Sequence, residues 1–175
     1  YFPLRTSYRT DRHILGFEGG FANDNTLRGE LETTGLVLSF TQRNMWTANP
    51  SWKVGLTERL SWQSGYNFAD ASYQDGQRLG LFDYQVHGGS SGPTYHLSEL
   101  DQVQLTGDYT MVRIPAIGLE TTYYGAQATW THDFGDHWIG SVGGGGRLVN
   151  SELELSGAGA VSSQDVVWIY NASLS

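Results

Sequence analysis

The sequence predicts an all-β fold: an antiparallel, up-and-down transmembrane β-barrel, of which this chain supplies about nine strands. Three observations carry that prediction. Apolar and polar residues alternate singly in segment after segment, and this period of two is that of a strand with two unlike faces. Apolar residues rarely recur at helical spacing, and the 23 Gly interrupt nearly every helical window. The connections between segments come in two kinds, short polar turns and longer loops, in apparent alternation.

The clearest strand is "DQVQLTGDYTM" (101–111), where Val103, Leu105, Gly107, Tyr109 and Met111 oppose Gln102, Gln104, Thr106, Asp108 and Thr110. Residues 36–56 hold one parity, with Leu36, Leu38, Phe40, Trp46, Ala48, Trp52, Val54 and Leu56 on one face and Arg43 and Lys53 on the other. Leu60, Trp62, Tyr66 and Phe68 oppose Ser61, Gln63 and Asn67. Around 82–86, Phe82, Tyr84 and Val86 oppose Asp83, Gln85 and His87. Tyr124, Ala126, Ala128 and Trp130 oppose Gln127, Thr129 and Thr131. Trp138, Val142 and Leu148 oppose Ser141 and Arg147, and Trp168, Tyr170, Ala172 and Leu174 oppose Ile169, Asn171 and Ser173. The alternation is lost near "GGSSGP" (88–93), where a β-bulge is expected.

Short turns are expected at 10–13, 56–60, 97–101 and 133–137, and longer loops around 22–34, 72–80, 112–121 and 149–165. "LTERL" and "LSELD" stand 41 residues apart, a loose repeat whose Ser or Thr hydroxyl can bond a nearby backbone amide. No linker divides the chain, so residues 1–175 read as one β-barrel domain, expected to be incomplete at both ends: it opens on Tyr1, and nine is an odd number for a bacterial barrel.

Composition narrows the function. A net charge of −8 disfavours nucleic acid as a partner, because phosphate contacts need clustered Lys and Arg. The absence of Cys removes thiolate metal sites, disulfides and thiol chemistry. No run approaches the roughly 18 apolar residues of a membrane helix. The mean hydropathy of −0.36 is compatible with a barrel, where only alternate residues meet lipid.

Both a soluble β-sandwich and a barrel would segregate charge to one face. Three features favour lipid on the apolar side. The connections alternate in length. Trp52, Trp62, Trp130 and Trp138 lie near the short turns while Tyr66, Tyr109, Tyr123 and Tyr124 lie toward the long loops, as two interfacial girdles would. The second face is built of Gln, Thr, Ser, Asn and Gly, as a wet lumen would be.

"NPSWKVGLTERLSWQSGYNFADASYQDG", "YHLSELDQVQLTGDYT" and "VVWIYNASLS" resemble a poorly characterised family of Gram-negative outer-membrane β-barrel proteins. The shared features are Leu-Ser/Thr-Glu turns that introduce strands of alternating Ser, Leu and Tyr, from about residue 5 onward. The resemblance implies an outer-membrane location, contact with lipid and lipopolysaccharide, and an association with envelope or polysaccharide-export proteins. It brings no catalytic residues.

No enzyme activity and no cofactor are expected. The densest chemical cluster is "HDFGDH", where His132, Asp133, Asp136 and His137 are weak candidates for a metal site; a tight turn, with Asp and Gly for geometry and His in the interfacial belt, is the favoured account. "GGGG" (143–146) lacks the Lys-Ser/Thr end of a phosphate loop and suits a bend or close strand packing. Asp83, His87, Asp108 and Arg147 are the lumen-lining candidates. The expected function is a passive pore or an envelope-assembly scaffold, with oligomers allowed. The rival reading is a soluble, secreted β-sandwich for binding or adhesion. A barrel hydrolase would require His132 or His137 to carry an activity.

Overall fold

The computed structural model describes residues 2–25, 41–135, 138–155 and 159–175. They form nine strands: β1 (Phe2–Arg9), β2 (His13–Asn25), β3 (Gln42–Gly55), β4 (Leu60–Tyr73), β5 (Tyr84–His96), β6 (Asp101–Ile114), β7 (Leu119–Asp133), β8 (Ile139–Leu155) and β9 (Gly159–Leu174). All nine lie in one sheet in chain order, each antiparallel to the next, so the topology is up-and-down. The sheet is not closed: β1 and β9 are its two edges. A sandwich needs a second sheet packed on the first, and the described residues form one sheet.

The four short turns stand where the sequence places them, all at one end of the sheet. In three of them a hydroxyl caps the turn. Thr10 Oγ1 accepts from the His13 amide at 3.0 Å, Thr57 Oγ1 from the Leu60 amide at 3.0 Å, and Ser98 Oγ from the Asp101 amide at 3.0 Å. These bonds satisfy amides that the tight reversal removes from the ladder.

The other end departs from expectation. Among the described residues, 74–83 is the long loop at this end, containing a 3-10 turn at Gly76–Leu79. The expected loop at 112–121 is instead strand up to Ile114, a 3-10 turn at Pro115–Ile117, and strand again from Leu119. The expected loop at 149–165 is mostly strand, since β8 runs to Leu155 and β9 starts at Gly159. Past the apolar band the alternation inverts, with Val112, Ile114, Leu119 and Leu153 on the polar face and Arg113, Glu120 and Glu152 on the other, so these segments read as loop in the sequence. The expectations at 26–34 and for Leu36, Leu38 and Phe40 lie outside the described residues.

The face assignments hold in most strands, and the ladder extends them across the sheet. The apolar face gathers Leu15, Trp52, Trp62, Leu105, Tyr109, Tyr124, Trp130, Leu148 and Trp168. Two assignments change. Tyr84 pairs with Ala71 and Val86 with Ala69 and Val112, so both aromatic and aliphatic residues of this segment lie on the polar face. They pack there with Ala71, which is only 1% exposed. Tyr123 also lies on the polar face, paired with Thr110.

The expected bulge at 88–93 is absent, because β5 keeps one register against β4 and against β6 throughout. The Gly there serves close approach instead: a Cβ on Gly92 would overlap the Leu105 carbonyl of β6. Gly92→Val is expected to destabilise the fold by about 1–3 kcal/mol, read as a lower urea midpoint of the refolded protein. An unchanged midpoint would show that β5 and β6 do not approach this closely.

The distribution of burial is inverted relative to a water-soluble domain. Among the described residues the buried hydrophobic side chains are Val54 and Ala71. All six Trp are at least 37% exposed, and Trp168 reaches 68%. Aromatic residues left in water at this density would forfeit roughly 1.5–3 kcal/mol each.

Candidate functional site

The polar face is organised in rows that cross the strands. The middle row begins Ser7, Gly16, Ser51, Gly65 and Ser90, one residue on each of β1 to β5. It continues through Asp108, Gly125, Arg147 and Val167 on β6 to β9. The first half is therefore shallow and the second half carries long charged side chains. Over the shallow half lies a cavity of about 550 Å³, lined by residues that include Arg5, Ser7, Glu18, Asn49, Ser51, Asn67 and Ser90.

Asp108 and Arg147 stand two strands apart, and glycine allows them to meet. The Asp108 carboxylate lies across Gly125 on β7, where a Cβ would overlap it. Arg147 Nη2 donates to Asp108 Oδ2 at 2.9 Å from the far side. Arg147 Nε is buried and has no partner among the described residues. Two further ion pairs sit on this face. Arg43 grips Asp24 with two bonds of 2.6 and 3.0 Å, and Arg5 pairs with Glu18.

The glycine run on β8 works the same way. Gly143 and Gly145 face the polar side and leave room for neighbouring side chains. Gln127 Nε2 donates to Asn171 Oδ1 at 2.7 Å, spanning β8 from β7 to β9. The run thus serves packing, as its lack of a phosphate-loop ending suggested.

Of the four lumen-lining candidates, the structure brings together Asp108 and Arg147. Asp83 is in the 74–83 loop, where its Oδ1 accepts from the Tyr73 amide at 2.7 Å. His87 lies on the apolar face, paired with Phe68 and Met111, and shares a 2.6 Å hydrogen bond with the Tyr66 hydroxyl. The cause is the parity of β5: placing Tyr84 and Val86 on the polar face sends His87 to the other. Sequence reasoning also passed over Arg5, Glu18, Asp24 and Asn49. Only the strand register aligns them on the same face as Asp108.

The metal candidates do not converge. His132 and Asp133 are successive residues of β7 and point to opposite faces. Asp133 Oδ1 accepts from the Gly135 amide at 2.9 Å, closing the turn. Asp136 and His137 lie outside the described residues. Among the described residues no group of three His, Asp or Glu side chains could hold a metal.

His132 instead serves a clasp at the short-turn end. Its Nδ1 donates to Asp101 Oδ1 at 2.7 Å, Trp130 Nε1 donates to the same oxygen at 3.1 Å, and Ser98 Oγ donates to Oδ2 at 2.8 Å. These bonds hold the Asp101 carboxyl below its usual pKa, the His132 bond first and Ser98 next. A depressed folded pKa contributes stability that is present above the unfolded value of about 3.9 and is lost as pH falls through the folded value. Asp101→Asn is therefore expected to melt below wild type at pH 7, with the gap closing below about pH 4. A gap independent of pH would contradict this.

No family's sequence profile matches the chain, and no curated protein matches it. A solved structure does: the CymD monoaromatic hydrocarbon channel superposes with a TM-score of 0.51 at 12% identity. The match covers 98% of this chain and 63% of that one. At this identity the likeness shows fold alone. The shared fold is an up-and-down antiparallel β-barrel fold, seen here as nine strands in an open sheet, and the chain spans less than two thirds of its neighbour's length.

Proposed function

We propose that the protein is an outer-membrane β-barrel that acts as a passive pore, with lipid and lipopolysaccharide against its apolar face and water against its polar face. The observation that carries this reading is the charge-free apolar band. On that face of β7 the first charge is Glu120, paired with Arg113 at 2.7 Å, and the opposite border is the His132–Asp101 clasp. Between them stand Thr122, Tyr124, Ala126, Ala128 and Trp130. Twelve residues at about 3.4 Å each span roughly 40 Å, and a strand tilt of about 45° reduces this to about 29 Å, close to a hydrocarbon core of about 30 Å.

Several polar groups inside this band bond to one another, which lowers their cost in lipid. Ser64 and Ser91 hydroxyls bond at 2.6 Å, and Trp62 Nε1 donates to Ser91 Oγ at 2.9 Å. Sheet edges at β1 and β9 would be costly in lipid. In the working barrel further strands, from the same polypeptide or from a second copy, pair with them.

Single-channel recording in planar bilayers tests the proposal. Discrete, reproducible conductance steps are expected. Verified insertion with no conductance would contradict the pore and leave an envelope-assembly scaffold, whose partners would be envelope or polysaccharide-export proteins.

A further inference from the structure

The cavity over β1 to β5 is lined by hydrogen-bonding groups that the fold leaves open. The hydroxyls of Ser7, Ser51 and Ser90 and the carboxamides of Asn49 and Asn67 border it. None of the five makes a side-chain hydrogen bond to another described residue. Farther along the same face, several such groups are joined in pairs: Gln127 with Asn171, Thr121 with Ser151, Ser141 with Ser173. These five open groups border one concave place.

The cavity is also electrically balanced, since its two charged residues, Arg5 and Glu18, are tied to each other. Glycine sets its depth. A Cβ on Gly16 would stand 2.6 Å from Ser51 Oγ and crowd the floor, and the Asn67 side chain lies across Gly88 of β5, where a Cβ would overlap it. Three hydroxyls and two amides together offer both donors and acceptors, with no net charge to attract an ion. A hydrocarbon would leave those groups without partners, and that is costly. A solute with hydroxyls around its whole perimeter would meet them. The volume of about 550 Å³ falls in the range of roughly 300–1,000 Å³ typical of small-molecule sites.

We propose that this cavity is a binding subsite for an uncharged, hydroxyl-rich solute of monosaccharide to disaccharide size. The inference rests on the reading of the polar face as a pore lumen.

Saturation-transfer NMR on the complete protein in a non-glycosidic detergent tests it, with glucose, sucrose and toluene as probes, alongside single-channel recording with sucrose. Transfer to the sugars and none from the cavity to toluene is expected. The double variant N49A/S90A, shown folded by circular dichroism, is expected to bind sucrose at least tenfold more weakly, and N67A alone is expected to weaken it in the same direction. No transfer to either sugar, or equal affinity in wild type and both variants, would overturn the proposal. Conductance without sugar binding would sink the subsite and leave the pore standing. Sugar binding without conductance would keep the subsite and remove the pore.

Discussion

Leu105→Arg is expected to cost about 2–4 kcal/mol of folding stability in a bilayer, whereas Gln104→Arg, one residue away, stays within about 0.5 kcal/mol of wild type. Leu105 lies mid-strand on the apolar face of β6 and is half exposed; Gln104 lies on the polar face. If lipid covers the apolar face, a guanidinium at Leu105 must be desolvated or must deform the bilayer. On the polar face it would simply be hydrated. A soluble domain would not show this asymmetry, since a half-exposed position there tolerates Arg. Urea titration of protein refolded into vesicles reads both variants, and equal costs would contradict the membrane assignment.

The second large effect belongs to Asp108 and Arg147. Asp108→Asn is expected to shift ion preference toward anions by roughly two- to fivefold, because it leaves the Arg147 charge without its partner. Arg147→Gln is expected to shift preference the other way by a similar factor. The side chains are 19% and 38% exposed, so the pair is screened and its contribution to stability is modest, about 0.5–1 kcal/mol. Selectivity and stability should therefore separate: a clear change in reversal potential under a salt gradient, with little change in melting. Reversal potentials identical to wild type in both variants would remove the pair from the conduction path.

The parts of this fold that could be read from sequence are those governed by strict alternation. Leu60 to Phe68, Val103 to Met111 and Tyr124 to Trp130 each have one predominantly apolar face, so a period of two identified both the strand and the face. The turns were readable because Thr57 and Ser98 are capping residues with a local mechanism. β5 was misread for an equally physical reason. Its mid-strand apolar-face positions are His87, Gly89, Ser91 and Pro93, and its apolar residues Tyr84 and Val86 serve a small packed patch on the polar face. Alternation records which face is more apolar locally, and here the local signal pointed to the wrong side.

The site was partly legible. Asp108 and Arg147 were visible as charges on a polar face, but their meeting depends on Gly125 lying between them, and that juxtaposition is a matter of register across three strands. The cavity was invisible for the same reason. Ser7, Ser51 and Ser90 are far apart in sequence and ordinary in kind. They become a surface only when Gly16 and Gly65 fall between them in one row.

The central claim is that the apolar face meets lipid, and tryptophan fluorescence in vesicles containing brominated phospholipid tests it most directly. Of the six Trp, five lie on the apolar face of strands, and Trp138 stands at the short-turn end. The account predicts strong quenching by lipids brominated in the acyl chain and weak quenching by aqueous acrylamide. Full acrylamide quenching with no effect of brominated lipid would place these side chains in water and contradict it.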